Sequence, residues 1–325
     1  MPSQAACILL ATYNGEHYLR TQLDSIRSQS YQNWQLLVRD DCSTDGTADI
    51  LKEYAELDSR IQLHSEFECC HVGATRSFEK LLVTGLDSGA KQFFLCDQDD
   101  QWHVDRLERY LHGFDVGNLP QLVFADLQLV DENLAPLGQT AAFQRESSDL
   151  RFLSLTSLLS LNHIPGCSMA LNRELAELAL PIPLDAIMHD WWFSLTASAS
   201  GKLTYIDLKL TKYRQHASNT VGAPSILGIL ADPLHWGSLW RSGASELMRS
   251  MSQAEILASR LEQIGGSSIS SIEPLRQYAG LSSLKLLERV KTAWRLRLRR
   301  GKPLTAIVLY LRLLCLSRPR RIRDD

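Results

Sequence analysis

Short apolar runs alternate along this chain with polar loops and helical stripes. Ala6-Cys7-Ile8-Leu9-Leu10-Ala11 is unbroken apolar and closes on the turn residues Thr12-Tyr13-Asn14-Gly15. A helix is predicted over 16–28, where Leu19, Leu23 and Ile26 share a face. Trp34-Gln35-Leu36-Leu37-Val38 is the second strand-like run. It ends in Arg39-Asp40-Asp41-Cys42-Ser43-Thr44-Asp45-Gly46-Thr47, and a helix over 47–56 follows. Two strand–loop–helix units in succession predict βαβ crossovers of right-handed sense and a parallel sheet. A third strand over 60–64 and a helix from 73 to 86 continue the rhythm. Phe93 to Cys96 is a continuous apolar run, predicted to be a strand buried on both faces. Three carboxylates in four residues leave it, in Asp97-Gln98-Asp99-Asp100, ahead of a helix expected over 102–114. A strand over 121–129, a helix over 151–161 and a tight turn into a strand over 165–171 come next. Met188-His189-Asp190-Trp191-Trp192-Phe193 opens a helix to 198, and 202–210 alternates as a strand. From 225 the pattern changes to an apolar stretch with Trp236 and Trp240, then helices over 255–264 and 275–287. Gly265-Gly266-Ser267-Ser268 is the best linker candidate.

Composition bounds the class. The 325 residues suffice for one large α/β domain plus an appendage, and 45% hydrophobic with 22% charged residues is ordinary for a folded protein. The seven cysteines are odd in number and lack CxxC spacing, which argues against a zinc site and for reduced thiols in a cytosolic setting. Met1 leads almost directly into a strand, so no signal peptide is expected, and no run of 18 apolar residues predicts a spanning helix. The net charge of −3 hides an asymmetry, since residues 285–325 carry 13 Lys and Arg against three acids. An acidic body with a basic tail suggests an enzyme brought to an anionic surface.

The strand ends collect the residues suited to chemistry. Carboxyl ends of strands in an open α/β sheet are where ligands bind. Asp97, Asp99 and Asp100 crowded there repel one another unless a cation or proton intervenes, and hard oxygen ligands favour Mg²⁺ or Mn²⁺. The other reading is a solvated acidic turn. Asp41 suits the N3–H of a pyrimidine, being acceptor-only, or else caps a helix. Thr12 and Tyr13 would floor the same base pocket. Arg76, at a helix start, meets a phosphate or stays a surface charge. Asp190 stands before two tryptophans, either as a general base tuned by apolar walls and a helix N-terminus or as a plain cap. Trp191 and Trp192 either stack on a sugar or fill the core. His216, just past a strand, is a structural histidine or a further metal ligand.

These segments together resemble family 2 glycosyltransferases of the GT-A fold. The matching pieces are Ala11-Thr12-Tyr13-Asn14-Gly15, the Asp40 to Thr47 run, Cys96-Asp97-Gln98-Asp99-Asp100, Gly166-Cys167, His189-Asp190-Trp191-Trp192 and Tyr213 to Thr220, in the family's order. Asp-Gln-Asp-Asp with His-Asp-Trp-Trp and the His216…Asn219 segment resembles the bacterial rhamnosyltransferase-like branch. The resemblance implies a Rossmann-like, mostly parallel sheet flanked by helices over 1–224. It assigns Asp190 as catalytic base, and Asp99 with His216 at a Mn²⁺ or Mg²⁺ ion. Thr12, Tyr13, Asn14, Asp41, Arg76, Asp97 and Gln98 would face a nucleotide-sugar donor. Asp100, Gly166, Cys167, Trp191 and Trp192 would face the acceptor or sugar. The implied reaction is inverting transfer, from dTDP-L-rhamnose first and a UDP-hexose second, to a glycan or lipid-linked glycan of a surface polysaccharide. Ser77 and His189 depart from the family, where Asn and Glu are common.

Residues 225–325 are expected to form a helical appendage, basic and amphipathic from about 285. The mixed basic and apolar tail fits a hairpin lying in a membrane interface, peripheral on the inner face of the cytoplasmic membrane, or else helices packed on protein. No nucleic-acid module accompanies the basic run. A sugar nucleotidyltransferase would need a Gly-rich phosphate loop and an oxidoreductase GxGxxG after the first strand; neither is present. A non-catalytic scaffold for polysaccharide assembly would not need Asp99, Asp190 and His216 together.

Overall fold

The computed structural model describes residues 6–64, 71–140, 150–216, 236–265, 270–298 and 303–316. Asn219 and most of the linker candidate lie outside these residues, as do 217–235. The chain divides into two compact units: Met1–Ala141, Ile164–Ile182 and Met188–Ser218 in the first, and Ala142–His163, Pro183–Ile187 and Asn219–Asp325 in the second.

The first unit is built on a nine-stranded sheet in the order β3-β2-β1-β4-β8-β6-β9-β5, with β7 paired to β6. The strands are β1 Ala6–Thr12, β2 Trp34–Asp40, β3 Ile61–Leu63, β4 Gln92–Cys96, β5 Gln101–Trp102, β6 Gln121–Val130, β7 Pro136–Thr140, β8 Met169–Asn172 and β9 Lys202–Arg214. The helices are α1 Leu19–Arg27, α2 Thr47–Leu57, α3 Ala74–Asp87, α4 Arg106–Leu111, α5 Arg173–Ala179 and α6 His189–Ser200. The apolar runs form the central strands because β1 and β4 are covered on both faces; Ile8, Leu10, Phe93 and Phe94 are fully buried.

β3, β2, β1 and β4 are parallel, as the alternating pattern predicts. Beyond β4 the sheet is mixed. β8 runs antiparallel to both β4 and β6, and β9 is parallel to β6. The reason lies in the 3₁₀ turn Gly166–Ser168. It precedes β8 at the carboxyl end of β4, so β8 must run back along the sheet. β6 and β9 therefore point the same way as β4. The carboxyl ends of β1, β2, β4, β6 and β9, and the amino end of β8, share one sheet edge.

Several local expectations shift. Trp102 does not start a helix; it pairs with Thr211 in a short strand, and the helix covers only Arg106–Leu111. The register of β6 on β9 slips at Ala125–Leu127, and such bulges re-aim a strand. The stretch 151–161 breaks into a 3₁₀ turn, Leu150–Phe152, and one helical turn, Leu155–Leu158, closed by a Ser154–Ser157 capping box. The helix Arg173–Ala179 has no strong periodic signal; Asn172 caps it by accepting the Leu175 N–H at 3.1 Å.

The second unit holds α7 Trp236–Gly265, α8 Ile272–Ala279, α9 Leu286–Arg295 and α10 Pro303–Cys315. Leu247, Met251, Ala254, Ala258 and Leu261 form the buried stripe of α7. The helix expected over 275–287 breaks at Gly280–Ser283, which is a 3₁₀ turn. No helix among the described residues is long and apolar enough to cross a membrane.

Candidate active site

The two loops after β1 and β2 are laced together by their own polar residues. Asn14 sits in the left-handed region, which asparagine tolerates, at φ 49°. Its N–H donates to Ser43 Oγ and its Oδ1 accepts from the Thr44 N–H, both at 2.8 Å. Thr12 is buried and its hydroxyl donates to Asp40 at 2.9 Å. Gln98 bridges the first loop to the acidic one: its Oε1 accepts the Tyr13 N–H at 2.8 Å and its Nε2 donates to the Tyr13 carbonyl at 3.0 Å. Tyr13 is partly exposed and its ring lies 4.4 Å from that of His71.

Asp41 is an anchor for α3. It accepts N–H groups from Val72 and Gly73 and a 2.8 Å bond from Arg39. Burial alone would raise its pKa, but those amides and the Arg39 guanidinium hold it below the usual carboxylate range. Arg76 does not stand open at the surface. It pairs with Glu79 and donates to the Ile182 carbonyl at 2.8 Å.

The acids after β4 meet partners brought by the sheet. His216 Nε2 lies 2.8 Å from Asp99 Oδ2 across 117 residues of sequence. The adjoining Arg214 N–H donates to Asp100 Oδ1 at 3.2 Å, and its Nε donates to the Asp99 carbonyl at 2.8 Å. Asp97, Asp100 and the Cys167 Sγ cluster within 4.8 Å of one another. Burial first, then the charges of Asp99 and Asp190, push the Asp97 carboxyl up to about 7. Burial, Asp99 and Asp97 push Asp100 well above the usual range. The same surroundings raise the Cys167 thiol, so it stays protonated beside these acids.

Arg106 is a buried counter-charge that the motifs do not mark. It is fully buried, sandwiched between the rings of Trp102 at 4.1 Å and Tyr110 at 4.8 Å. Its Nη2 donates to the Cys167 carbonyl at 2.8 Å, and it lowers the pKa of Asp97. The available signal is partial: Arg106 and Tyr110 share a helix face at i and i+4, while Trp102 reaches the other side of the guanidinium from strand β5.

Asp190 stands in the first turn of α6, half-buried, with Gly166 N–H donating to Oδ2 at 3.2 Å. A Cβ on Gly166 would stand 3.0 Å from His189 Nε2, so glycine allows this close approach. His189 is buried, stacked on Phe78 at 4.3 Å, and neither ring nitrogen has a hydrogen-bond partner among the described residues. Trp191 and Trp192 are core rather than sugar platforms. Both are buried, and Trp192 Nε1 donates to the Ala179 carbonyl at 2.8 Å.

Burial pushes the His189 pKa down to about 3. The unfolded chain takes up a proton near 6.5 and the folded one does not, so stability is full above that pH and falls as pH drops. Between pH 7 and 5 this site is expected to cost about 2 kcal/mol. Urea denaturation of His189→Phe at the two pH values should show that increment missing. An unchanged increment would place the acid sensitivity elsewhere.

The sequence profile described as glycosyl transferase family 2 matches residues 7–176. The dTDP-rhamnosyl transferase RfbG of Shigella flexneri is 28% identical over 229 residues, covering 66% of this chain and 74% of that protein. The UDP-Glc:alpha-D-GlcNAc-diphosphoundecaprenol beta-1,3-glucosyltransferase WfgD of Escherichia coli is 31% identical over 134 residues, 41% of this chain and 49% of its own length. Among solved structures, the mannosyltransferase PcManGT of Pyrobaculum calidifontis, in complex with GDP-Man and Mn²⁺, superposes with a TM-score of 0.54 at 17% identity, over 96% of this chain and 86% of that one. That likeness carries the fold, an α/β sheet of the GT-A type, and the profile spans more than half of the residues: the chain belongs to glycosyl transferase family 2.

Proposed function

We propose that this chain moves a sugar from a nucleotide-sugar donor to a hydroxyl of a glycan or lipid-linked glycan, with inversion, using Asp190 as general base. One observation carries the reading: Asp97, Asp99, Asp100, Asp190 and His216 meet at a single sheet edge, close enough for the Asp190 charge to raise the Asp97 pKa.

The acids fit a hard divalent cation. The Asp97 and Asp100 carboxylates crowd within 4.8 Å of one another beside Cys167. Carboxylate oxygen suits Mn²⁺ or Mg²⁺, whereas the protonated Cys167 is a poor ligand for either. Asp99 with His216 would hold the ion, and Asp97 and Asp100 would complete the oxygen set. When bound, the cation neutralises charge on a departing diphosphate. Arg214 holds Asp99 and Asp100 in register, and the buried Arg106 lowers the pKa of Asp97. Asp190 takes the proton of the acceptor hydroxyl as its oxygen bonds to the anomeric carbon and the carbon–phosphate oxygen bond breaks. Attack opposite the leaving group inverts that carbon, and no enzyme nucleophile is needed. Tyr13, Asn14, Asp41 and Gln98 border the donor side.

dTDP-L-rhamnose is the first donor, supported by the RfbG likeness; a UDP-hexose is the second, supported by WfgD. Thermal unfolding with Mn²⁺ and a panel of nucleotide sugars tests this. At 100 times Kd a bound donor adds about 2.7 kcal/mol, which is several degrees. The largest shift, with slow donor hydrolysis, is expected from dTDP-L-rhamnose. A larger shift from a UDP-hexose would transfer the assignment to it, and no shift from any donor would count against the transferase reading.

A further inference from the structure

The second unit wears its apolar residues on the wrong side for a helical pair in water. In α9 the exposed line is Leu287, Lys291 and Trp294, with Leu287 75% and Trp294 76% exposed. In α10 it is Ile307, Leu311 and Leu314, again at i, i+4 and i+7, all exposed. Arg312 is the sole charged residue of α10, and it turns inward, its guanidinium 5.9 Å from the Trp240 ring. A surface helix needs one apolar face for its neighbours; α10 buries Leu309 and Leu313 there and still shows a second apolar line to solvent. A groove between the two helices is bordered by Glu288, Val290, Lys291, Trp294, Arg295 and Tyr310.

The pair is also rigidly held. Arg289 is buried, and its guanidinium donates to five backbone carbonyls: Leu281, Ser282, Leu284, Leu313 and Leu316. The bonds to Leu313 and Leu316 place a cation at the carboxyl end of α10, where the helix dipole favours it. The outward stripes are thus part of a fixed surface.

We propose that this face docks on an anionic lipid bilayer, in the plane of the interface. Lys285, Lys291, Arg295 and Arg297 are exposed along α9 and its ends, against one exposed acid there, Glu288, and residues 285–325 carry 13 basic against three acidic residues. That charge selects an anionic partner, and long basic side chains reach lipid headgroups while their stems lie along apolar surface. Trp294 and Tyr310 are of the type that settles at the headgroup level. The 13 residues of α10 span roughly 20 Å, short of the ~30 Å hydrocarbon core, so the helix lies in the interface. The proposal stands on these residues alone and is independent of the donor and of Asp190.

Flotation of the full chain with phosphatidylcholine vesicles, plain or with about one-third phosphatidylglycerol, tests it. Binding is expected to be ~10-fold or more tighter with phosphatidylglycerol and to weaken in salt. Leu287→Ser with Trp294→Ser should abolish it while donor hydrolysis and thermal unfolding stay unchanged. Should that double variant fold poorly, brominated lipid should quench wild-type tryptophan emission more than that of Trp294→Phe. No binding, or equal binding to both vesicles, overturns the proposal. So does a dimer in sedimentation that the double variant dissociates without loss of flotation, since the face would then belong to a second copy.

Discussion

Asp190→Asn is expected to bind donor as the wild type does and to lose transfer by roughly 10²–10⁴-fold, the range a positioned general base contributes. The amide keeps the shape and one acceptor oxygen, for either the Gly166 N–H at 3.2 Å or the Trp191 N–H at 2.6 Å that the carboxylate receives on its two oxygens. It cannot take a proton from the acceptor. Donor affinity by calorimetry and turnover with a saturating acceptor separate the two effects. Near-wild-type kcat would remove Asp190 from the base role.

Stripping divalent cations should cost transfer on the order of 10³-fold, the several kcal/mol that charge neutralisation of a leaving group supplies, with Mn²⁺ or Mg²⁺ restoring it. The effect has a companion in stability. Asp97 is raised from its ordinary value to about 7 in the folded state, so the metal-free fold is penalised as pH climbs from about 4 through 7. Asp97→Asn removes a charge that the fold disfavours. Its metal-free Tm at pH 8 should therefore exceed the wild type's, even as its activity falls. Full activity after chelation, with Asp97→Asn no more stable than the wild type, would detach the acids from a metal site. A gain in stability on losing a site residue is the usual mark of a functional cluster.

Much of this site is legible before any coordinates exist. Asp97, Asp99 and Asp100 stand out because an apolar run stops and acids start, and a buried strand must end where its ligands can meet solvent. Asp190 stands out by its place ahead of two tryptophans. The partners are harder to see. Arg106 lies in Arg106-Leu107-Glu108-Arg109 and reads as one more surface base. Only the packing of Trp102 and Tyr110 against its two faces shows it buried beside the acids. Asp41, by its place beyond β2, suits either a ligand contact or a helix cap, and its oxygens hold the start of α3. A carboxylate at a strand end serves a neighbouring helix as readily as a nucleotide.

The first two strand–loop–helix units, the burial of β1 and β4 and the run of acids beyond β4 follow from the sequence by itself, because periodicity and turn signals act within a few residues. The tertiary structure alone decided three further things. It set His216 on Asp99, because β9 runs parallel to β6 and returns to the edge where β4 ends. It drew Trp102 into a strand and Trp191 and Trp192 into the core, because neighbours distant in sequence bury them. It turned Arg312 inward and left Ile307, Leu311 and Leu314 facing out. Which side of a nearly all-apolar helix faces water is not encoded in its own pattern; the surfaces packed against it determine that.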